Sequence, residues 1–261
     1  VGTTDAISDS TGFTRLLGID IGGSGIKADE VDLLTGQPAG GRHRVGTPDP
    51  ATPASTRDAF AELYEAMAWC GPLGCTFPGV IRGSSTVETA ANLDSQWIGV
   101  DASKLFSDVT NDQVIMVNDA DAAAVAEARF GAARNVDGVV LVITLGTGLG
   151  SGLVHNGVLV PNTELGHVEI DGEDAELTAS ARAKDEEGLS FEEWAGRLSR
   201  YLVHLENLLS PDLIVLGGGI SREFDRFGAL LHTRTRITPA LLRNDAGIVG
   251  AAHIASVALK R

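Results

Sequence analysis

Leu16-Leu17-Gly18-Ile19-Asp20-Ile21-Gly22-Gly23-Ser24-Gly25-Ile26-Lys27-Ala28 is an apolar run, a glycine-rich break and a second run. Val139-Val140-Leu141-Val142-Ile143-Thr144-Leu145-Gly146-Thr147-Gly148-Leu149-Gly150-Ser151-Gly152-Leu153 repeats that plan about 125 residues later. Short runs rich in Val, Ile and Leu, bounded by glycine, read as strands, and no helix separates the two strands in either place. The first hairpin is expected over 13–21 and 26–34. The second is expected over 139–145 and 153–160, with 146–152 as its turn. A duplicated α/β unit accounts for both most simply, and it places a ligand in the cleft between the copies.

Working outward, Thr35-Gly36-Gln37-Pro38 is a turn and 41–45 a third strand. A proline-rich loop (47–53) leads to a helix over 55–69, with Ser55 as its N-cap. Strands end near Phe77 and at Asn118, and an alanine-rich helix runs over 121–130. In the second copy a long helix covers 191–209, then a strand over 213–216, the triplet Gly217-Gly218-Gly219 and another helix. The expected division is a small lobe over 15–118, joined by a C-terminal helix over 246–261, and a large lobe over 119–245. Residues 1–14, rich in Gly, Ser, Thr and Asp, read as a mobile tail without the apolar core of a signal peptide.

Lys and Arg number 20 against 35 Asp and Glu, a net charge of −15. Such a surface repels nucleic acid and anionic membrane, and no apolar run approaches membrane-spanning length. An anionic ligand would therefore need positive potential concentrated locally. The two cysteines, Cys70 and Cys75, suit neither a disulfide framework nor a zinc site; buried free thiols in a reducing, cytoplasmic compartment are the expectation.

The two glycine turns can aim consecutive N–H groups at phosphate oxygens, and each carries a hydroxyl residue, Ser24 or Thr147. Any tight hairpin uses glycine, but two such turns at matching places favour a phosphate clamp. Neither is a Walker A loop, because Lys27 is followed by Ala28 and a strand, and neither fits G-x-G-x-x-G. Asn118-Asp119 ends the strand Val114-Ile115-Met116-Val117 and opens a helix. Asp119 could be an N-cap, yet Asp121 is also available for that, and strand ends are where α/β folds place ligands. A carboxylate there can take a proton from an attacking hydroxyl. Glu164, His167 and Glu176 supply further polar groups, although Glu169, Asp171, Glu173 and Asp174 make a solvated acidic loop an equal reading. The D-x-[DN]-x-[DN]-G spacing of a calcium loop is absent.

Taken together, 17–27, Asn118-Asp119, Leu145-Gly146-Thr147-Gly148-Leu149-Gly150, Glu164-Leu165-Gly166-His167 and Leu216-Gly217-Gly218-Gly219 resemble the ROK sugar kinases. Phe77-Pro78-Gly79-Val80, Thr89-Ala90-Ala91-Asn92-Leu93-Asp94 and Trp97-Ile98-Gly99 resemble the polyphosphate glucokinase branch of that family. The resemblance implies an actin/hexokinase/Hsp70-like (ribonuclease H-like) two-lobed fold with an interlobe cleft. It implies phosphorylation of glucose, with mannose as a further acceptor, at the 6-hydroxyl by inorganic polyphosphate or ATP, assisted by Mg2+. By the same resemblance Asp119 is the catalytic base, and Asn92, Asn118, Glu164, His167 and Glu176 are sugar ligands. Asp20, Gly22, Gly23, Ser24, Lys27, Thr147 and Gly148 match the phosphate loops, and Gly218 and Gly219 the nucleotide side. Mg2+ would be carried mainly by the donor phosphates, with Asp20 the candidate protein ligand, and a homodimer is what the family suggests. Many ROK proteins carry a cysteine-rich zinc motif that 172–180 lacks, so no structural zinc is expected and His167 reads as a sugar ligand.

A sugar-sensing ROK repressor would need a helix-turn-helix of roughly 60 residues ahead of the first glycine turn. An actin- or Hsp70-like ATPase would share both turns but has no use for sugar ligands. Arg182, Lys184, Arg197, Arg200, Arg222 and Arg226 are candidates by position for a track holding a long polyanion, Arg222 and Arg226 first among them. The lobes are expected to close on the sugar about hinges near 118–121 and 244–247.

Overall fold

The structure, a computed structural model, describes residues 12–90 and 93–260. Most of the expected N-terminal tail (1–11) and Asn92 lie outside the described residues.

The chain runs through β1 (Arg15–Gly22), β2 (Gly25–Asp32), β3 (His43–Val45), α1 (Pro53–Met67) and β4 (Leu73–Phe77). A small hairpin, β5 (Ile81–Arg82) and β6 (Thr86–Val87), precedes α2 (Ala102–Thr110), β7 (Val114–Asn118) and α3 (Asp119–Phe130). Next come β8 (Val139–Leu145), β9 (Leu149–His155), β10 (Val158–Val160), the pair β11 (Glu169–Ile170) and β12 (Glu173–Asp174), and short α4 (Ala175–Ala179) and α5 (Ala181–Glu186). The chain closes with α6 (Phe191–Leu209), β13 (Leu213–Gly217), α7 (Phe224–Phe227), β14 (Ile237–Pro239) and α8 (Ala246–Ala258).

Two five-stranded sheets result, ordered β3-β2-β1-β4-β7 and β10-β9-β8-β13-β14. In each, the first three strands of the copy pair antiparallel and the remaining two join parallel. The two copies thus match strand for strand, as the repeated hairpin predicts.

Each sheet is covered on both faces, and the period-2 pattern assigns the partners. Leu17, Ile19 and Ile21 of β1 pack with Phe60, Leu63, Trp97 and Phe106, whereas Leu16 faces Ile248, Val249 and Ala252 of α8. In the second sheet Leu141, Ile143 and Leu145 meet Trp194, Leu198, Tyr201, Leu202 and Leu205. That face of α6 follows helical spacing, and the helix starts on a capping box formed by Ser190 and Glu193.

Helices α3 and α8 cross at the junction of the lobes, and they meet on very small residues. A Cβ on Gly250 would collide with the carbonyl of Ala122, one on Gly18 with the carbonyl of Ile248, and one on Gly74 with the carbonyl of Ala251. The backbone of α8 therefore lies directly on β1, β4 and α3. On its other side α3 packs on β9, where a Cβ on Gly152 would strike Ala124 and the carbonyl of Ala120.

Several sequence expectations change here. The N-cap of α1 is Thr52; Ser55 is the reciprocal third residue of its capping box. The alanine-rich helix starts at Asp119, because Asn118 supplies the cap by accepting the N–H of Asp121 at 3.0 Å. The second hairpin turns at 146–148, and Gly150 and Gly152 belong to β9, where Gly152 admits α3 and Gly150, still lining the cleft, clears Thr144 and Ala120. The strand expected over 153–160 breaks at Asn156-Gly157 into the ends of β9 and β10. Cys75 is buried on the interior strand β4, but Cys70 follows α1 in an exposed loop.

Candidate active site

A cleft of about 450 Å³ opens between the lobes, with the two glycine turns facing it. Gly22, Gly23 and Ser24 line it from the first lobe, and Gly146, Thr147 and Gly148 from the second. Asn118, Asp119, Glu164, His167, Glu176 and Gly218 complete the predicted set that lines it. Asp20 and Lys27 stand in an adjoining cavity of about 170 Å³, which shares Asp119, Thr144 and Gly218 with the main cleft. Gly219 opens a 3-10 turn (Gly219–Glu223) and does not line either space.

Asp119 is the first residue of α3, carried by the carboxyl end of β7. Its Oδ1 accepts the N–H of Ala120 at 2.9 Å. Burial, reinforced by the charge of Asp20, pushes its pKa up to about 7 despite that hydrogen bond. A carboxyl poised there is well matched to taking a proton near neutral pH. Asn118 makes two tethers: its Oδ1 caps α3 and its Nδ2 donates to the carbonyl of Gly79 at 3.1 Å. One amide hydrogen of Asn118 is left for a ligand.

The other polar residues are held by local structure. Glu176, near the start of α4, accepts the N–H of Leu149 at 2.9 Å and so braces the second glycine turn. His167 Nδ1 lies 2.8 Å from Asp174 Oδ2, and that bond raises the histidine pKa. The same Asp174 caps α4 through Oδ1 on the N–H of Glu176, at 2.9 Å. Burial raises the pKa of Glu164, opposed by His167 and reinforced by Glu176. Asp20 accepts from Thr76 Oγ1 at 2.7 Å and from Lys27 Nζ at 3.2 Å.

Asp174 was read as one of several equivalent carboxylates of an acidic loop; its position two residues ahead of Glu176, as an N-cap, is the signal that sets it apart. Two further residues were missed. Asp121, 1% exposed, accepts the N–H of Asn162 at 2.7 Å. Asn162 in turn holds the backbone N–H and carbonyl of Ile81 in the other lobe, at 3.1 and 3.0 Å. Asn118 of β7 holds Gly79 on one flank of Val80 and Asn162 of the second lobe holds Ile81 on the other, fixing the wall of the cleft that Pro78 and Gly79 form.

Burial also lifts Asp121 to about 7, with the charge of Glu164 adding to it and the Asn162 hydrogen bond opposing. Asp119 and Asp121 start from 3.8 and keep protons in the fold that the unfolded chain has already released. The unfolded state therefore binds fewer protons, and stability falls as pH rises from about 4 to about 7. The raised His167 acts in the same sense above its ordinary range. Denaturant unfolding of the ligand-free protein at stepped pH should show this decline, and a stability that climbs across the window would refute the assignment.

Among the described residues no cluster of three or more His, Cys, Asp or Glu side chains could hold a metal ion, and no helix is long and apolar enough to cross a membrane.

Residues 16–180 match the model of the ROK family. The chain is 47% identical over 257 residues to a polyphosphate glucokinase of Mycobacterium tuberculosis, covering 98% of this chain and 95% of that one. It is 49% identical over 253 residues to a polyphosphate glucokinase of Mycobacterium leprae, covering 95% and 78% respectively. The fold superposes with a TM-score of 0.89 on the inorganic polyphosphate/ATP-glucomannokinase of Arthrobacter sp. strain KM, at 48% identity, covering 95% of this chain and 99% of that one. A ROK family glucokinase from Streptomyces griseus, in complex with glucose and AMPPNP, gives 0.81 at 25% identity over 92% and 99%. With the duplicated sheets, the paired glycine turns and a half-buried Asp119 between them, these likenesses agree on one conclusion: the chain belongs to the ROK family, with the actin/hexokinase-like fold of its sugar kinases.

Proposed function

We propose that this chain is a sugar kinase that moves the terminal phosphoryl group of inorganic polyphosphate or ATP to the 6-hydroxyl of glucose, with mannose as a second acceptor. The observation that carries this reading is the placement of Asp119, half-buried between two glycine turns in a cleft that also holds Glu164, His167 and Glu176. The printed activities of the mycobacterial and Arthrobacter relatives support it.

The chemistry follows from those positions. Glu164, His167, Glu176 and Asn118 orient the sugar by accepting and donating paired hydrogen bonds, and the family resemblance adds Asn92 to them. Asp119 takes the proton of the 6-hydroxyl as that oxygen attacks the terminal phosphorus. The bond from phosphorus to the bridging oxygen breaks, and the shortened polyphosphate or ADP leaves with the electron pair. Most of the rate comes from holding donor and acceptor in line and from stabilising charge with the N–H groups of the turns. Asp20, an oxygen donor between Lys27 and Thr76, fits a Mg2+ ion held mainly by phosphate oxygens. When bound, that ion neutralises the developing phosphate charge. A cytoplasmic homodimer completes the proposal.

A hexose panel assayed in parallel with polyphosphate and ATP tests the reading. Glucose 6-phosphate should form with both donors, and glucose should bind without either. Hydrolysis of ATP with neither glucose binding nor a sugar phosphate would sink it in favour of an actin- or Hsp70-like ATPase.

A further inference from the structure

The donor is a polyanion, yet among the described residues the cleft is lined by Asp119, Glu164 and Glu176 and by no lysine or arginine. N–H groups of the glycine turns neutralise only the phosphates they touch, so the rest of a long donor needs cations just outside. The large-lobe cations expected there are mostly engaged. Arg197 is paired with Glu187, Arg200 with Asp171, and Arg226 with Glu223. Lys184 and Arg226 also lie over the ring of Phe191, at 4.6 and 4.2 Å.

The small lobe carries a cation built against the clamp itself. Arg44 of β3 stands opposite Lys27 of β2, which stands opposite Asp20 of β1, so the three side chains share one face of the sheet. Lys27 is held by Asp20 at 3.2 Å. Arg44 has no ion pair with any described carboxylate; its Nη2 donates to the carbonyl of Ser24, at the tip of the first glycine turn, at 2.6 Å. The guanidinium lies against Gly25, where an added Cβ would come within 2.5–2.7 Å of Nη2, Nε and Cζ. Gly25 is not among the positive-φ glycines, so its backbone does not demand glycine. The missing side chain makes room for the arginine. The guanidinium keeps further N–H donors beside Gly23 and Ser24, which line the cleft.

We propose that Arg44 is a donor-binding residue, gripping phosphate oxygens beyond the transferred group where a long donor leaves the first glycine turn along edge strand β3. The proposal rests on the phosphotransfer reading above. Its chemistry is the fork of a guanidinium on a phosphate, which a polyanion of several phosphates offers repeatedly.

The test is initial-rate kinetics with long-chain polyphosphate, tripolyphosphate and ATP, on wild type, R44A, R44Q, R44K and the double variant R222A/R226A. R44A should raise the long-chain polyphosphate KM about tenfold, one charge-assisted contact's worth. Glucose KM should stay within about twofold and kcat at saturating donor should hold, the signature of lost donor binding alone. The polyphosphate KM of R44A should also climb less steeply with salt. R44Q, which keeps a polar amide without the charge, should behave like R44A, and R44K should recover part of the affinity. Three results would each overturn the proposal: a wild-type polyphosphate KM in R44A, recovery by R44Q, or a glucose KM that rises in parallel, which marks a role in folding the turn. A KM shift carried by R222A/R226A alone would move the path to the large lobe. If wild type phosphorylates no hexose with any donor, the parent reading fails instead, and the two failures are distinct.

Discussion

Asp119→Asn keeps the fold and the sugar affinity and loses at least about 10²-fold in kcat, the usual scale for removing a general base. The amide can still accept the N–H of Ala120 and still occupies the first position of α3, so the turn from β7 into the helix survives. What disappears is a site for the hydroxyl proton. In wild type the same group sets the acid limb: with a pKa of about 7 in the free protein, kcat/KM for glucose should fall about tenfold per unit below that pH. In the variant that limb should vanish from whatever rate remains. Near wild-type turnover by Asp119→Asn, or an unchanged acid limb, would remove Asp119 from the mechanism.

Gly148→Val should abolish useful turnover with both donors. Gly148 is packed against the carboxylate of Glu176, which a Cβ at that position would strike. The turn itself is closed by the N–H of Gly146 on the carbonyl of Gly148 at 3.0 Å. A β-branched residue must displace Glu176, and with it the hydrogen bond from Leu149. Sugar and phosphate geometry then shift together. Misplacement by about an ångström costs on the order of 10²-fold, so kcat/KM should drop at least that far with polyphosphate and with ATP alike. Loss confined to one donor would mean that the second glycine turn is not common ground for the two. Far-UV circular dichroism of the purified variant separates this from unfolding.

The fold was legible because its signal is repeated: two apolar strands broken by glycine, at matching places, define both sheets and the cleft. Asp119 was legible as a carboxylate at a strand end, although the capping role that the sequence offered to Asp119 or Asp121 falls to Asn118. Gly152 misled, because a glycine that admits a helix reads the same as one that admits a phosphate. Asp174 was hidden among like carboxylates, since only the fold shows which of them reaches both His167 and Glu176. Asn162 sits at φ 59° after β10, and nothing in its sequence neighbours reveals that its side chain spans to Ile81. Arg44 was unreadable for a similar reason: an edge-strand cation is ordinarily solvated, and its contact with Ser24 depends on the register of β3.

The meeting of α3 and α8 has a mechanical consequence. Side chains that interlock act as teeth, and sliding them means lifting each out of its socket. Here the closest approach of the two helices is through backbone carbonyls, glycine and alanine methyl groups, with few teeth apart from Phe130 of α3 against His253 of α8. Such a bearing resists being pulled apart, because many close contacts are lost at once, but it offers little resistance to turning. Any rotation of one lobe on the other must pass through this point. A wedge at Gly250, where an added Cβ would meet the carbonyl of Ala122, would therefore jam the pivot.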